Sequence, residues 1–300
     1  MKLSVIIPVF NDADGLSDTV DSLLAQDSPA SGYEIIIADN GSTDETWRRA
    51  QKYADSHAQI VAVRENSIQG SYAARNRGIE AAGGAILCFV DADMTVPADY
   101  IDAVGAKFSD EELDYLACDV EITLAHSSLS ATYNCLTGFP IERYLEKDHY
   151  APTCCLCVRR SCVEKFGAFD DRLESGGDME FGQRLFDNGV CQDFAPNIQL
   201  KHPARFTFDS LLSKQRRIGR GHAQLSHYFP GRYSLFLKLY VKTTRYFLPD
   251  NPFKLAAKLK QRDLDCSAFG IAGMAIFQIP LAWAGLFAYL DESQALRRRS

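Results

Sequence analysis

The first 93 residues alternate short apolar runs with amphipathic stretches, and most of the apolar runs lead into Asn or Asp. Leu3 to Val9 and Glu34 to Ala38 are near-continuous apolar segments, as expected of strands covered on both faces of a parallel sheet. Ile60 to Val63 and Ala85 to Val90 read as a third and a fourth strand. Between them, Asp14 to Gln26 carries Leu16, Val20, Leu23 and Leu24 at i, i+4, i+7 and i+8, the stripe of a helix. Ser42-Thr43-Asp44-Glu45 reads as a capping box opening a second helix through about Ala54, and Tyr72 to Ala82 reads as a third. This β-α-β-α-β-α-β order predicts an α/β fold with a mostly parallel sheet flanked by helices. Such sheets gather ligands at the carboxyl ends of their strands. The polar residues stand there: Asn11 and Asp12 after the first strand, Asp39 after the second, Asp91 and Asp93 after the fourth.

Composition excludes several other classes. With 46% hydrophobic and 24% charged residues, 20 Gly and 11 Pro, and no fixed-period repeat, the chain is neither disordered nor fibrous. A mean hydropathy of -0.16 excludes a polytopic membrane protein. The net charge of -7 argues against a nucleic-acid partner but hides a split. Residues 1–197 hold 15 Lys+Arg against 33 Asp+Glu, whereas residues 198–262 hold 14 against 2. The basic part is therefore expected to meet phosphates or a membrane surface, a solvated basic face being the plainer alternative. The odd count of nine cysteines, and an opening apolar run that contains Pro8 and leads into Asn11-Asp12, suggest a reducing, cytoplasmic setting with buried free thiols. Cys154-Cys155-x-Cys157 lacks the paired spacing of structural zinc sites.

From about 95 to 200 the pattern is less regular, with short strands expected around 115–124 and 153–159 and helices around 128–147 and 178–188. From 201 onward the chain is basic and helical, except that residues 266–290 carry no charge. Twenty-five helical residues span roughly 37 Å, enough for one bilayer crossing. Lys254, Lys258, Lys260 and Arg262 precede this stretch and Arg297 to Arg299 follow it, so both flanks favour the cytoplasm. A re-entrant hairpin hinged at Gln278–Pro280, or helices lying in the interface, is expected; a helical pair buried against a partner subunit is the soluble alternative.

Asp91-Ala92-Asp93 offers two hard oxygen donors suited to Mg²⁺ or Mn²⁺ bridging a diphosphate. The same spacing recurs at Asp12/Asp14 and Asp263/Asp265, so position at the end of a buried strand sets 91–93 apart. Five segments occur in order: Ser4 to Asn11; Ile37-Ala38-Asp39-Asn40-Gly41-Ser42-Thr43-Asp44; Ala74-Arg75-Asn76-x-Gly78; Asp91-x-Asp93; and, after Val158-Arg159-Arg160 and Phe166-Gly167-x-Phe169-Asp170, Ser175-Gly176-Gly177-Asp178-Met179-Glu180-Phe181. Together they resemble the family 2 glycosyltransferases of GT-A fold over roughly residues 1–225.

The resemblance implies a catalytic domain over 1–225, with a nucleotide-binding half (1–93) and an acceptor-binding half (94–225). Residues 226–300 would form a helical, membrane-associated C-terminal extension ending in the apolar segment. It implies a donor site with Pro8, Phe10, Arg75, Asp39 on the nucleotide base (uracil in the usual case) and Asp91 near the ribose. Asp93 would hold the metal on the donor diphosphate, with His202 as a further ligand or simply a packed histidine. Asp178 would be the general base of an inverting transfer. Glu180 would contact substrate or sit in a helix's first turn. Arg216, Arg217 and Arg220, with Arg205, would meet phosphate, lipid headgroups or solvent. Two departures matter: Asn40 stands where many relatives have an acid, and Gln215-Arg216-Arg217-Ile218 lacks the Trp of the processive synthases, which favours single-sugar transfer. The expectation is a metal-dependent enzyme at the cytoplasmic face of a membrane, peripheral or monotopic, using a nucleotide-sugar donor and a glycan or lipid-linked acceptor. Its rivals are a polyprenyl-phosphate sugar synthase and a non-catalytic nucleotide- or glycan-binding subunit of a membrane assembly.

Overall fold

A computed structural model describes residues 2–27, 32–125, 127–234, 240 and 244–299. The chain divides into two compact units. The first comprises Met1–Glu121, Phe139–Asp171 and Gly177–His202; the second comprises Ile122–Gly138, Arg172–Gly176 and Pro203–Ser300.

In the first unit, β1 (Leu3–Val9), β2 (Tyr33–Asp39), β3 (Ile60–Arg64) and β4 (Ile86–Phe89) form a parallel core in the order β3-β2-β1-β4. The sheet continues through β6 (Leu156–Arg159) and β5 (Tyr115–Thr123) to β7 (Gln192–Pro203), with β6 antiparallel to both β4 and β5. Helices α1 (Ala13–Leu24), α2 (Thr46–Ser56) and α3 (Ser71–Ala81) are the crossovers between the parallel strands. The fold is thus the expected α/β architecture. All of β1 is buried, because β2 and β4 flank it and helices cover it. Pro8 is tolerated in this strand because β1 pairs with β2 along Leu3–Val9 but with β4 only along Leu3–Ile6. α3 lies close over β1: a Cβ added at Gly78 would come 2.5 Å from Ile6 Cγ2.

Several local expectations change. The N-cap of α2 is Glu45, which makes no side-chain cap bond; just before it Asp44 Oδ1 accepts the Thr46 N–H at 2.9 Å and Ser42 is used elsewhere, so there is no capping box. The helix expected over 128–147 is two, α5 (Leu129–Thr137) and α6 (Ile141–Asp148), because Gly138 and Pro140 interrupt the pattern and a side chain at 138 would collide with Ile122. Helices α4 (Tyr100–Lys107) and α7 (Arg160–Phe166) and strand β7 were not anticipated. β7 contains Pro196 and Pro203, which a sheet accepts at its edge, where β7 lies. α8 (Gly177–Asp187) follows the expectation. All nine cysteines are free thiols and seven are buried.

The second unit is helical. α9 (Phe208–Tyr228) runs through the 225/226 boundary expected from sequence. The Pro252–Gln261 helix and the Ala268–Arg299 helix pack with α5 and α9 around Tyr133, Leu136, Leu211, Leu255, Leu259, Met274, Ala275 and Leu281. The hairpin expected at Gln278–Pro280 is absent. Residues 268–299 form one helix with Pro280 inside it. Proline removes one backbone hydrogen bond and crowds the preceding turn, a cost of about 3 kcal/mol that burial of Met274, Ala275 and Leu281 on either side of it offsets. Gly219 permits that packing: a side chain there would collide with the carbonyl of Gly285.

Candidate active site

The carboxyl ends of β1, β2 and β4 meet on one edge of the first unit, since Val9 pairs with Asp39 and Ile6 with Phe89. Pro8 is buried and Phe10 is 48% exposed. Asn11 then takes a left-handed backbone, φ 50°, held by its own N–H to Ser42 Oγ (2.9 Å) and by the Thr43 N–H to its Oδ1 (2.8 Å).

Asp39 is fully buried. Its Oδ2 accepts Arg64 Nε at 2.8 Å and the N–H groups of Gly41 and Ser42 at 3.2 and 3.1 Å. Arg64 thus offsets the charge of the buried carboxylate, and its guanidinium lies 5.2 Å from the Trp47 ring centroid. Asn40 explains the first departure. Its Oδ1 accepts the Gly70 N–H (2.6 Å) and Gln69 Nε2 (2.9 Å), while its Nδ2 donates to the Ile68 carbonyl (2.9 Å). An ionised acid could not donate that last bond. Asn40 thus fixes the loop that opens α3.

On α3, the buried Arg75 donates to Asp91 Oδ1 at 2.5 Å and to the Ser71 carbonyl, while its Nε is buried without a hydrogen-bond partner. Asp93 meets His202 by strand pairing. Thr95 and Lys201 exchange backbone bonds of 3.0 and 2.9 Å, which sets His202 Nε2 at 3.8 Å from Asp93 Oδ1. Neighbouring ligands on one Mg²⁺ or Mn²⁺ lie roughly 3 Å apart for bonds of ~2.1 Å, so a small side-chain rotation would bring both onto one ion. Among the described residues no cluster of three or more His, Cys, Asp or Glu forms a metal cage. A carboxylate with one imidazole suits a divalent ion that takes its remaining ligands from water and substrate phosphate. The residues therefore fit such an ion.

Asp178 stands in the first turn of α8, a favourable place for an anion. Its Oδ1 accepts the Met179 N–H at 3.0 Å and the Tyr72 hydroxyl at 3.3 Å; the Tyr72 oxygen in turn accepts the Asp178 N–H at 3.2 Å. Burial, reinforced by the Asp178 charge, pushes the phenols of Tyr115, Tyr144 and Tyr150 upward, so all three stay neutral. Tyr144 and Tyr150 stack with centroids 5.1 Å apart, and Tyr150 packs against Gly182, one turn along α8 from Asp178. Glu180 turns inward and is gripped by Arg184 at 2.8 and 3.0 Å; Arg184 also binds the carbonyls of residues 166–168.

Arg205, Arg216, Arg217 and Arg220 belong to the second unit. There Arg220 forks onto Glu174 with two 2.5 Å bonds, which raises its pKa, and Arg217 reaches Ser175 Oγ at 3.5 Å. Arg216 is exposed. Sequence reasoning missed two residues of the first unit, Arg64 and Tyr72. Arg64 directly follows the apolar run of β3, and Tyr72 directly precedes Ala73-Ala74-Arg75-Asn76. Their places beside those segments were the available signal.

A mostly parallel α/β sheet with carboxylates at its strand ends and an acid heading a later helix has the form of a glycosyltransferase of GT-A type. The family model "Glycosyl transferase family 2" matches residues 4–167, and the chain belongs to that family. Glycosyltransferase AglE of Haloferax volcanii is 36% identical over 224 residues, 74% of this chain and 73% of that protein. Among solved structures, the mannosyltransferase PcManGT from Pyrobaculum calidifontis, in complex with GDP-Man and Mn²⁺, superposes with a TM-score of 0.60 at 19% identity. That match covers 98% of this chain and 86% of the other. S. aureus TarS 1–349 in complex with UDP gives 0.57 at 16% identity, covering 100% and 92%. These two carry the fold. The chain is a glycosyltransferase of glycan biosynthesis.

Proposed function

We propose that this enzyme transfers a single sugar from a UDP-linked donor to an acceptor hydroxyl, with inversion and with Mn²⁺ or Mg²⁺. The observation that carries the reading is the convergence, within the first unit, of Asp91–Arg75, Asp93–His202 and Asp178–Tyr72. Pro8, Phe10 and the Asp39–Arg64 pair border the nucleotide base. Asp91, oriented by Arg75, faces the ribose. Asp93 and His202 would hold the metal, which when bound offsets the charge gathering on the departing diphosphate. Asp178 takes the proton from the acceptor hydroxyl as its oxygen attacks the anomeric carbon from the face opposite the nucleotide; one displacement inverts that centre.

The acceptor is proposed to be a glycan or lipid-linked glycan at the cytoplasmic face of a membrane, with the protein attached peripherally or monotopically through 254–299. Among the described residues one helix, Ala268–Arg299, is long and apolar enough to cross a membrane, and 33% of its most apolar window is buried within the protein. Phe247, Leu248, Phe253 and Phe269 are exposed in the same unit, near in sequence to Lys254 and Lys260. Apolar side chains flanked by lysines suit an anionic interface. Phe253→Ser with Phe269→Ser should reduce partition into anionic liposomes by about tenfold or more; unchanged partition would remove the membrane from the proposal.

Calorimetric titration of UDP and of GDP, with and without Mn²⁺, tests the donor assignment. UDP binding that needs Mn²⁺ and weakens at least tenfold in Asp93→Asn supports it. GDP binding in preference to UDP would reassign the donor, and no binding of either to the folded protein would overturn it.

A further inference from the structure

Tyr72 lies on α3, three residues before Arg75 and so on the same helix face. The Arg75 guanidinium is 5.7 Å from the Tyr72 ring centroid while it donates to Asp91. The Tyr72 ring also packs on Phe169 at 5.6 Å and fills the space over Gly177, where an added Cβ would come within 2.8 Å. Its side chain is therefore fixed on several sides, and it is buried. At its tip, the hydroxyl both donates to Asp178 Oδ1 and accepts the Asp178 N–H. The path Asp91–Arg75–Tyr72–Asp178 thus runs through one rigid helix face.

We propose that Tyr72 is the positioning residue for the Asp178 carboxylate, locking it to the helix whose Arg75 orients Asp91 on the donor side. The inference rests on the reading of Asp178 as the base and deepens it. A carboxylate on a helix N-terminus can rotate about χ1 and χ2. Two donors on one oxygen, the Met179 N–H and the Tyr72 hydroxyl, fix its plane. A hydrogen bond to the ionised form also favours that form and lowers the carboxyl pKa. Because Tyr72 and Arg75 share α3, any shift of that helix on donor binding reaches both carboxylates together.

Tyr72→Phe keeps the ring, and with it the packing on Phe169 and Gly177, while deleting the hydroxyl. Carboxyl ¹³C NMR of aspartate-labelled protein, with Asp178 assigned by its loss in Asp178→Asn, reads the effect without substrate. The Asp178 midpoint should rise by roughly half a unit or more in Tyr72→Phe. Mn²⁺-dependent hydrolysis of UDP-glucose or GDP-mannose, whichever nucleotide binds, gives the kinetic readout with water as acceptor. Tyr72→Phe should lower kcat about 10- to 100-fold with the donor KM within twofold, and should move the acidic limb of the pH profile to higher pH. An unchanged midpoint, or an unchanged kcat and acidic limb, overturns the role of Tyr72. If Asp178→Asn hydrolyses donor like the wild type, the base assignment itself fails and takes the proposal with it. If Asp178→Asn is inactive and Tyr72→Phe is normal, only the Tyr72 assignment falls.

Discussion

The two ends of the parallel core, β3-β2-β1-β4, are built from the same strands yet treat their polar groups in opposite ways. At the amino ends, Glu34 accepts from Lys2 Nζ, Ser4 Oγ and the Gly83 N–H, each at 2.6 Å, and Ser4 Oγ accepts the Gly84 N–H at 2.8 Å. That network closes on itself. At the carboxyl ends, Asn11 holds a left-handed backbone, Arg75 Nε is buried without a partner, and the Asp93 and His202 side chains stand 3.8 Å apart. A left-handed residue and a buried donor without a partner are what a ligand-binding end is expected to carry, in keeping with the proposed donor site. Substitutions at the carboxyl ends should therefore cost function more than stability, and those at the amino ends the reverse.

The largest effect expected is at Asp178, which sits on the helix facing the carboxyl-end site. Asp178→Asn should lower turnover by about 10²- to 10⁴-fold, the usual contribution of a general base, with little change in thermal midpoint. A loss below about tenfold in a steady-state assay would show that another group takes the proton. Arg75→Met comes next. Arg75 is buried, but Asp91 is 36% exposed and would remain solvated once its partner is removed. The stability cost should then be about 1–3 kcal/mol, below the ~3–5 kcal/mol of a fully buried pair broken on one side. Nucleotide affinity should fall by tenfold or more, because Asp91 loses its orientation. A large drop in thermal midpoint with normal nucleotide binding would place Arg75 on the structural side of the comparison.

The contrast at the strand ends was legible in the sequence only on its functional side. Apolar runs that lead into Asn11, Asp39, Asp91 and Asp93 single these residues out, and the structure gathers them at the carboxyl ends of β1, β2 and β4, because a buried strand leaves its polar residues at its ends. Asp178 came from its motif. Arg64 and Tyr72 were not found, since each acts by covering or holding an acid brought close by the fold, and neither carries a spacing signal. Asn40 looked like a loss of charge and proved to be the brace of the 68–70 loop. Strand β7 was missed because its prolines mimic a loop, yet β7 delivers His202 to Asp93. The break between α5 and α6 and the continuity of the Ala268–Arg299 helix were misjudged for one reason. Proline's effect depends on whether the surrounding packing can offset its lost hydrogen bond, and that is a tertiary property.

Gly84→Ala moves the test to the amino ends. A Cβ there would meet Ser4 Oγ at 2.6 Å and the Lys2 and Leu3 backbone at 2.8 Å, so backbone rather than a flexible tip must give way. The expected cost is about 1–3 kcal/mol of stability, seen as a lower denaturant midpoint, with unchanged turnover per folded molecule. A fall in turnover at equal folded concentration would show that the two ends are coupled.

The smallest expected effect is also the sharpest test of how the closed end works. Burial of Glu34 alone would raise its pKa, but the hydrogen bonds from Lys2, Ser4 and Gly83 outweigh it and hold the carboxyl below its usual value. A depressed folded pKa stabilises the native state at every pH above the ordinary glutamate value of ~4.3, and that contribution is lost as pH falls through the lower folded value. Glu34→Gln removes the charge and turns an amide donor toward a site lined by donors. It should therefore cost about 1 kcal/mol at neutral pH. The gap in thermal midpoint between wild type and variant should be constant from pH 6 to 8 and should close as the pH drops through and below roughly 4. A gap that persists in acid would mean that the shape of Glu34, rather than its charge, holds the amino ends together, while nucleotide affinity stays unchanged in either case because the bonds in question lie at the far end of the strands.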